Sequence, residues 1–262
     1  MIFTDQLNRK LQISERAKRI VSLVPSQTEL LVDLGLETSI VGVTKFCAHP
    51  KHLRKKKTVV GGTKQIHVEK IKALQPDIIL CNKEENTQSI IEELESIAPI
   101  HISDIYNIDD CYALINMYGE LFQVKDKALH IVSKIKKQRE QFQNNLKGNN
   151  KYKVAYFIWK APWMVAASHT FIDYMINEAG FVNVFKEEKR YPEIELNNSK
   201  LQEADIIFLS SEPYPFKEAH ILELRSNFPK VPVRIVDGEL FSWYGSRLLA
   251  SYTYFQSLHY LV

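Results

Sequence analysis

Near its C-terminus the chain reads DGELFSWYGSR, Asp237 to Arg247. Phe241, Trp243 and Tyr244 crowd together there between an acid, Glu239, and a base, Arg247. Rings set so densely in a loop suit stacking on a large, flat, partly apolar partner, with the acid and the base as polar or structural partners. Taken singly, each ring reads equally well as core packing or loop anchoring. The same habit recurs in WKAPWMVAASHT (Trp159, Trp163), SSEPYPF (Tyr214, Phe216) and KRYPEIE (Tyr191), and once in the first half at KFCAHP (Phe46). All three tryptophans lie in the second half.

Chemistry of other kinds is poorly supported. There is no GxSxG, no phosphate-binding P-loop and no GxGxxG, and the acid clusters EEN and EELE read as solvated charge, so an enzyme is not expected. His49, Cys47, His67, His101 and His169 fall near loops without tight metal-ligand spacing. His49, next to Pro50, could be an axial ligand to the metal of a chelate; the plainer reading is a hydrogen-bonding loop residue. Lys45, Lys64, Lys160 and Arg247 are cations that an anionic chelate would use.

The 262 residues are 45% hydrophobic and 25% charged, an ordinary globular composition with room for one large domain or two lobes. A net charge of +3, from 34 basic and 31 acidic residues, is too small a bias for nucleic acid. The run HPKHLRKKK reads as a solvated loop or helix face. Cys47, Cys81 and Cys111 are scattered and odd in number, which suggests reduced thiols. The N-terminal MIFTDQLNRKLQIS has no apolar core of a secretory signal, so the sequence as written reads as cytoplasmic.

The elements that would position the loops occur twice. KRIVSLVP is a buried strand, and SQTELLVDLGLE is a helix with Ser26 as N-cap, Glu29 in a capping box and Gly35 at its end. SIVGVT is a second strand. HVEKIKALQPDIILCN is a helix, a proline break and a third strand, and TQSIIEELESIAPIHISD repeats the pattern. In the second half KYKVAYFIW is a strand, TFIDYMINEAGFVNVF a helix ending at Gly180, SKLQEADIIFLSSEP matches EKIKALQPDIILCNKEE, and VPVRIVDG matches IAPIHISD. Between the halves, Asp109 to about Lys147 carries helical spacing at Leu114, Met117, Leu121, Ala128, Ile131 and Ile135. If continuous it would be a spine about 55 Å long, closed by Gly and Asn in LKGNNKYK. The expected fold is therefore α/β: two Rossmann-like lobes with parallel sheets, residues 1–108 and 149–262, joined by one long helix over 109–148. The ligand cleft would lie between the lobes, at the C-terminal ends of the strands.

KRIVSLVPSQTELLVDLGL…IVGVT, HVEKIKALQPDIILC, the long helix, DIIFLSSEPYPF and VDGELFSWYGSRLL together resemble the cobalamin-binding type of substrate-binding protein of ABC importers, the helical-backbone metal receptors. The resemblance runs from about Thr4 to the C-terminus. It implies capture of a cobalamin, another corrinoid or a similar metal chelate, without chemistry and with no intrinsic cofactor. Siderophore, haem and metal-ion receptors share the fold, and a cytosolic binding or interaction protein without a transport role remains an alternative. By resemblance Phe46, Trp163, Tyr191, Phe241 and Trp243 fall at or near pocket positions, and Trp159, Tyr244, Glu239 and Arg247 join them from the same loops. Thr63 or Lys64 stands where the cobalamin binders can carry a tryptophan. Such receptors dock on a permease through one glutamate per lobe: Glu69 matches the first, while the second falls at Asn197, with Glu195 and Glu193 close by. The resemblance implies a periplasmic or cell-envelope location, and a monomer is expected.

Overall fold

The computed structural model describes residues 1–13, 17–146 and 151–259. The chain forms two compact units: Met1–Ile135 with Tyr244–Arg247, and Lys136–Trp243 with Leu248–Val262. The expected boundaries differ in two respects. The spine segment is shared between the units, and four residues of the C-terminal loop belong to the first.

In the first unit β1 (Ile2–Thr4) and β2 (Lys10–Gln12) pair antiparallel. There follow β3 (Ile20–Ser22), α1 (Pro25–Asp33), β4 (Ile40–Val43), α2 (Leu53–Lys56), β5 (Thr58–Val59), α3 (Val68–Ala73), β6 (Ile78–Asn82), α4 (Gln88–Leu94) and β7 (Ile100–Ser103). The sheet order β5-β4-β3-β6-β7 is parallel throughout. Apart from the short edge strand β5 its strands are largely buried, and Val21, Ile79, Cys81, Ile100 and Ile102 pack with Ile71, Ile90 and Leu94 of the covering helices. Because the chain starts in the middle of the sheet and then builds both sides, the order reverses at β3, and the loops beyond the strand C-terminal ends diverge there.

The α1 start is not the expected Ser26 capping box. Val24 is the N-cap, Pro25 occupies the first turn and no side chain caps. Proline has no N–H to leave unsatisfied at that position and its φ already suits a helix, so it takes the first turn. Ser26 then lies inside the helix, and Glu29 is free for another partner.

The spine is also not one continuous helix. It divides into α5 (Ile108–Leu121) and α6 (Lys125–Leu146), and the chain passes from the first unit to the second within α6. Gln123 takes φ 56°, and Val124 N–H donates to the Gly119 carbonyl at 2.7 Å while Gln123 N–H donates to that of Glu120 at 3.2 Å. That pair of bonds closes a helix end with a left-handed residue, normally a glycine. A Cβ on Gly119 would sit 2.6 Å from the Ala128 Cβ, so the missing side chain lets α6 turn back closely against α5. The closure expected over 147–150 lies outside the described residues.

The second unit continues with β8 (Lys153–Trp159), β9 (Met164–Val165), α7 (Phe171–Glu178), β10 (Val182–Asn183), β11 (Ile206–Ser210), α8 (Glu218–Asn227), β12 (Val233–Val236), α9 (Glu239–Ser242) and α10 (Leu248–Leu258). Its sheet is β10-β8-β11-β12, parallel, with β9 antiparallel on β8. The central strand with one neighbour built first and two built later repeats the order β4-β3-β6-β7 of the first unit. The similarity of the two halves in sequence is thus a similarity of topology.

Candidate functional site

In parallel α/β sheets the positions open to a ligand are the loops at the strand C-terminal ends. In the first unit the loop after β4 presents Phe46, which is 51% exposed. Phe46 N–H donates to Thr44 Oγ1 at 3.3 Å, and Lys45 N–H donates to the Gly61 carbonyl at 2.7 Å, so the loop is tied to the turn after β5. Tyr106, after β7, is the other exposed ring of this edge. His49 is half-buried, and its charge, when present, acts on Glu29.

In the second unit Trp159, at the end of β8, is 39% exposed. It begins a ladder of rings. Trp159 meets Tyr214 edge-on at 5.5 Å, Tyr214 lies 4.8 Å from Phe216, and Phe216 stacks on Trp163 at 6.0 Å. Trp163 is half-buried and also meets the core ring of Phe157, and Lys160 lies over its face at 5.0 Å while pairing with Glu223. The inner rings thus anchor the outer pair, Trp159 and Tyr214, at fixed positions. Tyr191 is half-buried under the Arg190 guanidinium, 5.4 Å from its ring. Tyr214 and Phe216, expected as loop rings but not among the pocket positions that the resemblance implied, form the middle of this ladder; their place directly after β11 was the available signal.

The loop that drew first attention resolves into three different roles. Phe241 is fully buried, packed on Phe255 at 4.8 Å and Tyr156 at 5.1 Å, and is a core residue, not a ligand wall. Its place on α9 turns it under the sheet edge, toward α10. Trp243 is 8% exposed. Its indole N–H donates to Glu212 Oε1 at 2.9 Å, and the Ser242 hydroxyl donates to the same oxygen at 2.7 Å. Burial raises the Glu212 carboxyl above the ordinary range, and the Ser242 bond opposes this. Trp243 therefore fastens the loops after β11 and β12 to each other and offers little face for stacking. Gly238 permits this fastening by its size: a Cβ there would stand 3.1 Å from the Glu212 backbone nitrogen. Glu239 begins α9 half-buried and helps keep the Glu212 carboxyl up.

Tyr244 and Arg247 belong to the first unit. Tyr244 is buried, and its hydroxyl accepts from Gln27 Nε2 at 3.0 Å and lies 3.4 Å from Ser103 Oγ. Tyr118 donates to Gln27 Oε1 at 2.6 Å, and Asn82 donates to Ser103 Oγ at 3.0 Å. This is a satisfied buried network across α1, β6, β7 and α5, so Tyr244 is a structural clamp and not a ligand wall. Arg247 makes a two-bond pair with Glu29, at 2.8 and 2.6 Å, with side chains only 12% and 17% exposed. Its task is to hold α1, which explains why Glu29 is not spent on a cap. Gly245, between them, takes φ 100°, which only glycine adopts easily, and its N–H reaches Cys111 Sγ at 3.1 Å.

Glu69, in the first turn of α3, and Glu195, before the turn of Ser199–Glu203, are both exposed. Glu69 also borders a groove of about 650 Å³ between α3 and α4, with Lys72, Pro76, Glu93 and Ile97. That groove contains the residues leading into β6 and β7, so it lies away from the strand-end rings. Among the described residues, no group of three or more His, Cys, Asp or Glu is placed to hold a bare metal ion.

With the doubled α/β topology in place, the decisive comparison is with family models: the periplasmic binding protein model matches residues 20–227. The chain belongs to the periplasmic binding protein family. It is a family of substrate-binding proteins and not of enzymes. Two relatives and one solved structure illustrate its neighbourhood. An uncharacterized ABC transporter substrate-binding lipoprotein of Bacillus subtilis (strain 168) is 32% identical over 147 residues, 55% of this chain and 46% of that protein. The chain thus matches under half the length of that relative. A vitamin B12-binding protein of Pectobacterium carotovorum is 24% identical over 236 residues, covering 88% of this chain and 84% of that protein. The crystal structure of a periplasmic heme-binding protein from Pseudomonas aeruginosa superposes with a TM-score of 0.80 at 20% identity, over 94% of this chain and 93% of that one. At that identity the likeness is one of fold.

Proposed function

We propose that this periplasmic binding protein captures a metal chelate with a flat, partly apolar body, a corrinoid or a haem-like macrocycle, and delivers it to an ABC importer. The observation that carries the reading is the pair of exposed rings at strand C-terminal ends, Phe46 in the first unit and Trp159 in the second, each fixed from below. A large ring held half-exposed at the strand C-terminal end of a parallel sheet is placed where ligands bind and offers a flat face for stacking. Relatives named for vitamin B12 and for ABC transport support the ligand class and the partner. On this reading the protein works in the cell envelope, and Glu69 and Glu195, exposed one on each unit, are its contacts to the permease. His49 stays a candidate axial ligand to the chelated metal.

Phe46→Ala and Trp159→Ala test it. Each variant should bind the chelate about tenfold more weakly, the ~1.4 kcal/mol expected for one stacked ring. The unfolding free energy should stay within about 0.5 kcal/mol of wild type for Phe46→Ala and fall by about 1 kcal/mol for Trp159→Ala, which also loses its edge contact with Tyr214. Unchanged affinity in both, read by absorbance titration, would show that these rings do not face the ligand.

A further inference from the structure

Of the outer pair of rings, Tyr214 stands in EPYPF, between two prolines that have no N–H to tie the loop down. His220 holds it from the first turn of α8. The imidazole meets Tyr214 edge-on at 5.5 Å and Phe216 edge-on at 5.4 Å, and its Nε2 lies 3.4 Å from the Tyr214 hydroxyl. Its Nδ1 accepts the Lys217 backbone N–H at 2.8 Å, the bond by which a third helical residue reaches back to the N-cap. Ile221 and Leu224, further along the same helix, are buried with Phe157, Val165 and Phe216, so the imidazole is carried on a fixed base.

The two ring nitrogens have fixed roles. A backbone N–H only donates, so Nδ1 holds the lone pair and the proton of the neutral ring sits on Nε2, toward the Tyr214 oxygen. Protonation puts a second N–H on Nδ1, head-on to the Lys217 N–H, and places a cation at the positive end of α8. Both effects drive the ring from its seat against Tyr214 and Phe216. Charge near it comes from Lys217 and Glu218 on the same chain segment and from Glu223 one turn on, which is already paired with Lys160 of the loop after β8. Tyr214 and Phe216, which it meets from the loop after β11, carry none. We propose that His220 is the positioning residue of the ring ladder: neutral, it holds Tyr214 and through it Trp159 in the pose that meets the ligand; protonated, it releases them, so that capture weakens in acid. What the ladder meets rests on the chelate-capture reading above, and how the ladder is held does not.

The test has one arm without ligand and one with it. In the first, the near-ultraviolet circular dichroism of the Trp159–Tyr214 pair is read as the difference between wild type and Trp159→Phe. It should fall by about half or more from about pH 8 to about pH 5, the range over which histidine changes charge. In the background of His220→Gln, whose carboxamide can still accept the Lys217 N–H but does not titrate, the same difference signal should stay level. In the second arm cyanocobalamin and haem are titrated against both proteins across that range, the variant cancelling any titration of the probe itself. Wild type should bind whichever probe it holds about tenfold more weakly at the acid end. His220→Gln, which loses the edge contacts to Tyr214 and Phe216, should start about threefold weaker and change less than about twofold with pH. Level wild-type signal and affinity, or an equal acid loss in His220→Gln, overturns the inference and leaves the chelate reading standing. If neither probe binds, the chelate reading falls, and the ligand-free arm alone sustains or overturns the role of His220.

Discussion

Phe241→Ala should destabilise the second unit by about 3–5 kcal/mol, the range for deleting a fully buried aromatic ring. Phe241 has no exposed surface and touches Phe255, Tyr156, Phe208 and Tyr254, with ring centroids 4.8 to 6.4 Å away. Those partners come from β8, β11 and α10, and they cannot all close on the space that the ring leaves, so the cavity adds to the lost transfer energy. Urea unfolding followed by far-ultraviolet circular dichroism reads the loss, with any separate transitions of the two units fitted separately. A ring that instead lined a ligand site would give the opposite pattern: near-wild-type stability and weakened binding. That outcome would move Phe241 out of the core.

Arg247→Ala should cost about 3 kcal/mol at neutral pH, because it strands Glu29 in a mostly buried setting without its partner. Its pH dependence separates this from mere loss of packing. Burial raises the Glu29 carboxyl above the ordinary range even with Arg247 present, and the Arg247 hydrogen bond is the main opposing influence. Without that arginine the folded-state value rises further. A carboxyl whose folded pKa lies above its unfolded value, about 4.3, contributes stability that is fully present below the unfolded pKa and is lost as pH rises through the folded pKa. The variant should therefore stand closest to wild type near pH 4 and fall away from it as Glu29 ionises. Adding Glu29→Gln to Arg247→Ala should flatten that dependence. A loss equal at all pH values would mean that the Glu29 charge is not what Arg247 answers.

Both predictions concern the stretch DGELFSWYGSR, and they mark where sequence reasoning succeeded and stopped. The alternation of strand and helix, the doubling of the fold and, to within a residue or so, the strand ends at Val43, Asn82, Trp159 and Ser210 could be read because parallel strands are written as apolar runs and helices as 3.6-residue spacing. The break between α5 and α6 could not, because Gln123 takes a left-handed conformation that glycine or asparagine would have advertised. Pro25 at the start of α1 was readable in principle; the Ser26-to-Glu29 spacing imitated a capping box and concealed that Glu29 pairs with a residue 218 positions away. The rings of the last loop share one composition and three fates. Phe241 goes to the core of one unit, Tyr244 to a buried polar network in the other, and Trp243 to a carboxylate in a neighbouring loop. Nothing local distinguishes them, since each fate is set by a partner distant in sequence. By contrast, Phe46 and Trp159 stand at strand ends and are exposed there.

The most direct test of chelate capture is an absorbance-monitored titration of the purified protein with cyanocobalamin, cobinamide, haem and ferric chelates. At least one should bind one-to-one with Kd below about 10 μM, roughly 7 kcal/mol of binding free energy. If none binds at that level, the exposed rings serve another purpose and the chelate-receptor account is wrong.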